Sequence, residues 1–167
     1  TRDRLRREVL VDLGLRRNEV VTLKVSEVDL KHNPPCIVVT GKGNKKRILP
    51  LTGQLLETVT SYLNSLAPKY TGECLFPGPS GDSLHPNSVT KLVKKYASQV
   101  GLDISPHVAR ATCVSNALEQ GASIVQVQQL GGWSSMDMVL RYDKRRQALH
   151  NSAAFKVNYA PKYTGGK

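Results

Sequence analysis

Long apolar runs are missing from this sequence. None approaches the ~18–20 residues of a membrane span, and no signal-peptide pattern opens the chain. Those absences set aside the membrane-spanning and secreted classes and favour a cytoplasmic protein. Cysteine is scarce too. Cys36, Cys74 and Cys113 are odd in number and lack paired spacing, which indicates neither a disulfide framework nor a zinc site. They read as small buried hydrophobes in a reducing compartment. Aromatic residues make up only 5% of the chain, with a single tryptophan. Acidic residues are the last shortage: 13 Asp and Glu face 24 Lys and Arg, giving a net charge of +11.

What is present is an ordinary globular composition, 40% hydrophobic and 22% charged over 167 residues, enough for one domain with a real core. The positive excess sits toward the two ends, in residues 1–50 and 101–167. A pI near 9.8 favours a polyanionic partner, and nucleic acid before membrane because no basic amphipathic anchor is evident. Charge alone does not separate that from a basic solvated surface.

Apolar positions 5, 9, 10 and 13 follow helical spacing, and Gly14 closes that first helix. A second, short helix covers about 17–24. A β-rich stretch follows: 28–30, a turn at Asn33-Pro34-Pro35, 36–40, a Gly41–Asn44 turn and 47–51. Thr52 is placed to cap a helix over 53–65, and residues 67–84 form a Pro/Gly-rich loop. Helices are expected at 87–100, 106–120, 123–131, 135–142 and 143–156. The fold class is therefore α+β, mostly helical, with a small three-stranded antiparallel sheet. The hexapeptide Ala67–Gly72 recurs as Ala160–Gly165, without a physical explanation.

Four segments carry candidate chemistry. In Ser105-Pro106-His107-Val108-Ala109-Arg110, a serine cap and a proline start a helix, and His107 and Arg110 share its first turn, where an anion is attracted. In Gly14-Leu15-Arg16-Arg17-Asn18-Glu19, Glu19 either fixes the Arg16 guanidinium or complements the helix dipole. The turn Gly41-Lys42-Gly43-Asn44-Lys45-Lys46-Arg47 offers four cations to a DNA backbone or groove. Finally, Leu130-Gly131-Gly132-Trp133 leads in nine residues to Arg141-Tyr142. Each piece alone has a bland counterpart: a solvated charge, a satisfied histidine, a core aromatic.

Together and in this order, over about residues 5–145, they resemble the tyrosine recombinases, or phage integrases. The resemblance implies a catalytic domain spanning residues 1–167, with a helix and tail from about 143. It also implies a separate amino-terminal DNA-binding domain, to which nothing in this sequence corresponds. It casts Tyr142 as a nucleophile that attacks a DNA phosphate to leave a 3′-phosphotyrosyl link. Arg16 and Arg110 would bind the non-bridging oxygens, Lys42 would protonate the leaving 5′-oxygen, and His107 would assist proton transfer. Trp133 stands where many relatives have histidine, and its indole N–H can donate but carry no proton. Glu19 would support the site, and Lys45, Lys46, Arg47 and Arg141 would face DNA. Ala111 replaces a histidine common in the family. The implied partners are double-stranded DNA and other protomers in a tetramer on DNA. No metal, no small-molecule cofactor and no membrane are implied. A type IB topoisomerase and a DNA-binding module without catalysis are the competing readings.

Overall fold

The computed structural model describes residues 2–66 and 72–143. Helix α1 (Arg2–Val11) buries Leu5, Val9 and Leu10, and the chain reverses at Gly14 with φ +59°. Only glycine accepts that conformation cheaply, and a Cβ there would lie 3.1 Å from Cys113 Sγ. Helix α2 (Arg17–Thr22) follows, then a 3₁₀ turn over Val25–Glu27. Strands β1 (Val28–Asp29), β2 (Cys36–Thr40) and β3 (Lys46–Pro50) form an antiparallel sheet in that order, with Val38 opposite Ile48 and Thr40 opposite Lys46. The turn between β2 and β3 is a 3₁₀ turn over Lys42–Asn44, in which Gly43 and Asn44 take positive φ.

Helices α3 (Gly53–Leu66), α4 (Pro86–Ser98), α5 (Pro106–Glu119), α6 (Ile124–Gly131) and α7 (Asp137–Leu140) complete the described chain. The expected α+β class and three-stranded sheet are present. Differences are local. Strand β3 begins one residue early, α7 is shorter than the expected 135–142, and Cys74 is half-buried rather than buried. Thr52 contributes its carbonyl to Leu56 N–H at the start of α3. The expected helix over 143–156 and both copies of the repeated hexapeptide fall wholly or almost wholly outside the described residues. Among those residues no helix is long and apolar enough to cross a membrane.

Two apolar clusters organise the molecule. The larger gathers Leu5, Leu15, Val20, Ile37, Leu51, Phe76 and neighbours from α1 through α4. Each fully buried leucine there contributes about 1.5–3 kcal/mol. The smaller joins Val114, Leu118, Val127 and Val139, with Trp133 and Tyr142 packed against it. Candidate residues from both halves meet at the seam between these clusters.

Candidate active site

Helix α2 begins at the seam. Glu19, in its first turn, is 4% exposed, and both carboxylate oxygens are occupied. Oε2 accepts the Arg16 backbone N–H at 2.8 Å and Oε1 accepts Arg16 Nη1 at 2.8 Å, so both readings of Glu19 hold at once. Arg47 adds a two-pronged pair, Nη1 to Oε1 and Nη2 to Oε2, each 2.9 Å. Burial pushes the Glu19 carboxyl upward, but hydrogen bonds from Arg47 and Arg16 outweigh it and hold the group below its ordinary value.

The sign of that shift fixes a pH dependence. An unfolded-state glutamate titrates near 4.5 and the folded one lower, so Glu19 stabilises the fold fully above 4.5. The contribution is lost as pH falls through the folded value. Denaturant midpoints of wild type and Glu19→Gln, followed from pH 7 to 3, are expected to converge below pH 4.5. Parallel curves would remove Glu19 as the acid-sensitive group.

Arg47 was expected to face DNA, and the structure turns it inward. Its Nε donates to the Leu130 carbonyl at 2.9 Å, and its side chain is 11% exposed. The reason is strand alternation: Arg47 shares a face with buried Leu49, while Ile48 points out and is 65% exposed. Arg47 thus ties the sheet to α2 and α6. Lys42, Lys45, Lys46 and Arg141 are exposed, with Lys42 sharing with Arg16 the walls of two open clefts of about 1060 and 640 Å³.

Ser105 and Pro106 start α5 as expected, the serine Oγ accepting Val108 N–H at 3.4 Å. Arg110, one turn on, is 4% exposed. Its Nη1 donates to the Gly14 carbonyl and its Nη2 to the Gly131 carbonyl at 2.6 Å. Arg16 Nη1 reaches the same Gly131 oxygen at 3.2 Å, so one carbonyl aligns both arginines. A guanidinium has five N–H donors, which leaves Arg110 able to hold an anion as well. Burial first, then repulsion from Arg16, pulls Arg110 down to about 10, still charged at neutral pH. His107 is exposed on the same helix, and Arg16, His107 and Arg110 line one cavity of about 350 Å³.

The indole of Trp133 lies over the Arg110 guanidinium, 4.3 Å from its carbon, and stacks on Tyr142 with centroids 5.8 Å apart at 29°. That placement depends on two glycines the sequence did not single out as chemical. A Cβ on Gly131 would fall 2.1 Å from the Trp133 ring, and one on Gly132 would fall 3.0 Å from Arg47 Nη1. Gly132 also caps α6 at φ +60°. Gly131→Ala therefore must expel the indole. The expected result is a destabilisation of about 1–3 kcal/mol and loss of the tryptophan's fluorescence environment. A variant with wild-type emission and melting temperature would contradict this packing.

Glu19 offsets Arg47, and the cavity wall keeps the positive charge of its arginines with no carboxylate lining it. Arg16, Glu19, His107, Arg110, Trp133 and Tyr142 are thus brought together, with Lys42 on the turn between β2 and β3, lining clefts that Arg16 also lines. Sequence reading missed Arg47 as an inward tether and the Gly131 carbonyl as a shared acceptor. The period-two pattern of β3 carried the first signal. The second had none.

In this mostly helical α+β domain, buried Arg110 and partly exposed Arg16 converge on one cavity, with Trp133 and Tyr142 stacked beside Arg110, an arrangement suited to holding an anion. The sequence profile of the phage integrase family matches residues 1–148, and the chain belongs to that family. It is 32% identical over 147 residues to the tyrosine recombinase XerD of Staphylococcus epidermidis, covering 84% of this chain and 49% of that protein. The crystal structure of XerA recombinase superposes with TM-score 0.75 at 24% identity, over 92% of this chain and 59% of that one. The XerH site-specific recombinase bound to palindromic difH substrate, a post-cleavage complex, gives TM-score 0.74 at 25% identity, over 86% of this chain and 43% of that one. The chain spans about half the length of the curated relatives it matches.

Proposed function

We propose that this chain cuts and rejoins DNA strands as the catalytic part of a site-specific tyrosine recombinase, integrating or excising a mobile element or resolving a replicon. The observation that carries the reading is the single cavity shared by Arg16, His107 and Arg110, with Trp133 and Tyr142 stacked beside it. In the proposed step, the Tyr142 oxygen attacks the scissile phosphorus as its own proton leaves toward His107. The P–O5′ bond breaks, and Lys42 gives a proton to the departing 5′-oxygen. A 3′-phosphotyrosyl ester and a 5′-hydroxyl result, and an incoming 5′-hydroxyl reverses the step without an external energy source. Arg16 and Arg110 neutralise the non-bridging oxygens throughout.

Exchange between two duplexes needs four strand cuts, one per tyrosine, so the proposed working form is four protomers on DNA. Lys45, Lys46 and Arg141, exposed near the site, are proposed to hold the DNA backbone. The test uses nicked duplexes of randomised sequence, in which cleavage releases a short strand and traps the covalent product. Detergent-resistant protein–DNA adducts, sequenced after recovery, are the expected result. Binding without any adduct would leave only a DNA-binding module. Resealing of the same strand without exchange between two duplexes would favour the topoisomerase reading.

A further inference from the structure

Arg17 has no role in the site described so far, yet it lines the same cavity as Arg16, His107 and Arg110. It is exposed, and among the described residues it has no hydrogen-bond or ion-pair partner. Other arginines differ: Arg16 and Arg47 are held by Glu19, and Arg4 pairs with Glu8 at 2.7 Å. No acidic residue lines this cavity. The cavity wall therefore carries a third guanidinium beyond Arg16 and Arg110 with no carboxylate to offset it. A second anion supplies the missing counter-charge.

Two further observations shape the ligand. Thr90, on α4, lines the cavity, and its hydroxyl is buried without a hydrogen-bond partner among the described residues. A buried unpaired hydroxyl is costly unless a ligand completes it. The volume, about 350 Å³, falls in the ~300–1,000 Å³ range of pockets that take whole small molecules, more than one phosphate fills. Arg17 and Thr90 are also set apart from Lys42. The two clefts that contain Lys42 include Arg16 but neither Arg17 nor Thr90.

We infer that Arg17 and Thr90 form a second phosphate subsite, which holds the phosphodiester immediately 5′ of the scissile one, on the side away from the leaving 5′-oxygen. This rests on the strand-cleavage reading and extends it. Arg17 donates a charge-assisted pair of N–H bonds to that phosphate, and the Thr90 hydroxyl donates to the same group. The subsite would fix the strand's register, so that Tyr142 meets one phosphorus and not its neighbour.

The test measures adduct formation on a duplex recovered as above, with single phosphates replaced one at a time by neutral methylphosphonate. Wild type is expected to lose about tenfold in rate when the phosphate 5′ of the cut is neutralised. Arg17→Ala on unmodified DNA should lose the same tenfold, and nothing further on that modified duplex. Thr90→Val should lose about two- to fivefold, again only where that phosphate is charged. Because Arg17 is exposed, an unchanged melting temperature is expected and checks that the fold is intact. If Arg17→Ala responds to every neutralised phosphate as wild type does, or couples to a phosphate 3′ of the cut, the subsite is wrong while the catalytic reading stands. If wild type forms no adduct on any duplex, the catalytic reading fails and the subsite falls with it.

Discussion

Tyr142→Phe is expected to abolish the covalent protein–DNA adduct while leaving DNA affinity within about twofold. The substitution removes one oxygen and keeps the ring, and the ring is what the structure uses: it stacks on Trp133 and packs against the smaller apolar cluster. Stability should therefore hold. Affinity should hold as well, because binding rests on phosphate contacts made by cations. The chemical step has no substitute, since an ester to phosphorus cannot form without the nucleophilic oxygen. Adduct yield on gels and affinity by fluorescence anisotropy are the two measurements. An adduct that survives the change would move the nucleophile to Tyr159 or Tyr163, which lie outside the described residues.

Arg110→Lys should lose on the order of 10²–10³ in cleavage rate although the charge is kept, by analogy with the removal of one transition-state donor. Lysine presents a single ammonium, whereas Arg110 must bond the Gly14 and Gly131 carbonyls and still face the cavity. The flat guanidinium also lies against the Trp133 ring, a contact an ammonium reproduces poorly. The melting temperature is measured alongside, which separates a loosened fold from a loss at the reacting centre. Arg110→Ala with added methylguanidine gives the second reading: partial recovery of adduct formation locates the effect in the missing guanidinium. A lysine variant that cleaves at near the wild-type rate would remove Arg110 from the reacting centre.

Most of the secondary structure was legible because its signals are local. The Ser105-Pro106 start of α5 and the positive-φ turn at Gly43-Asn44 each act within a few residues. The candidate site was legible for a different reason. Arg16, Lys42, His107, Arg110, Trp133 and Tyr142 stand in an order that resembles a known family, and that order, not any spacing rule, assigned their roles. Arg47 shows the limit. Its place in a basic turn suggested a DNA-facing cation, while the alternation of β3 points it inward with Leu49.

The sequence by itself determined the α+β class, the excess of positive charge and the set of residues with phosphate chemistry. These follow from composition, periodicity and motif order, all of which are properties of neighbouring residues. Only the tertiary structure decided how the arginines are divided. Arg47 neutralises Glu19, Arg16 and Arg110 share the Gly131 carbonyl, and Arg17 at the cavity wall has no partner among the described residues. That division depends on groups 21 to 115 positions apart in the chain, such as Arg110 with Gly131, Glu19 with Arg47 and Arg16 with Gly131. Side-chain partners at such separations are set by how the two apolar clusters pack against each other, because the carbonyl of a helix end becomes an acceptor only where the fold brings a donor to it.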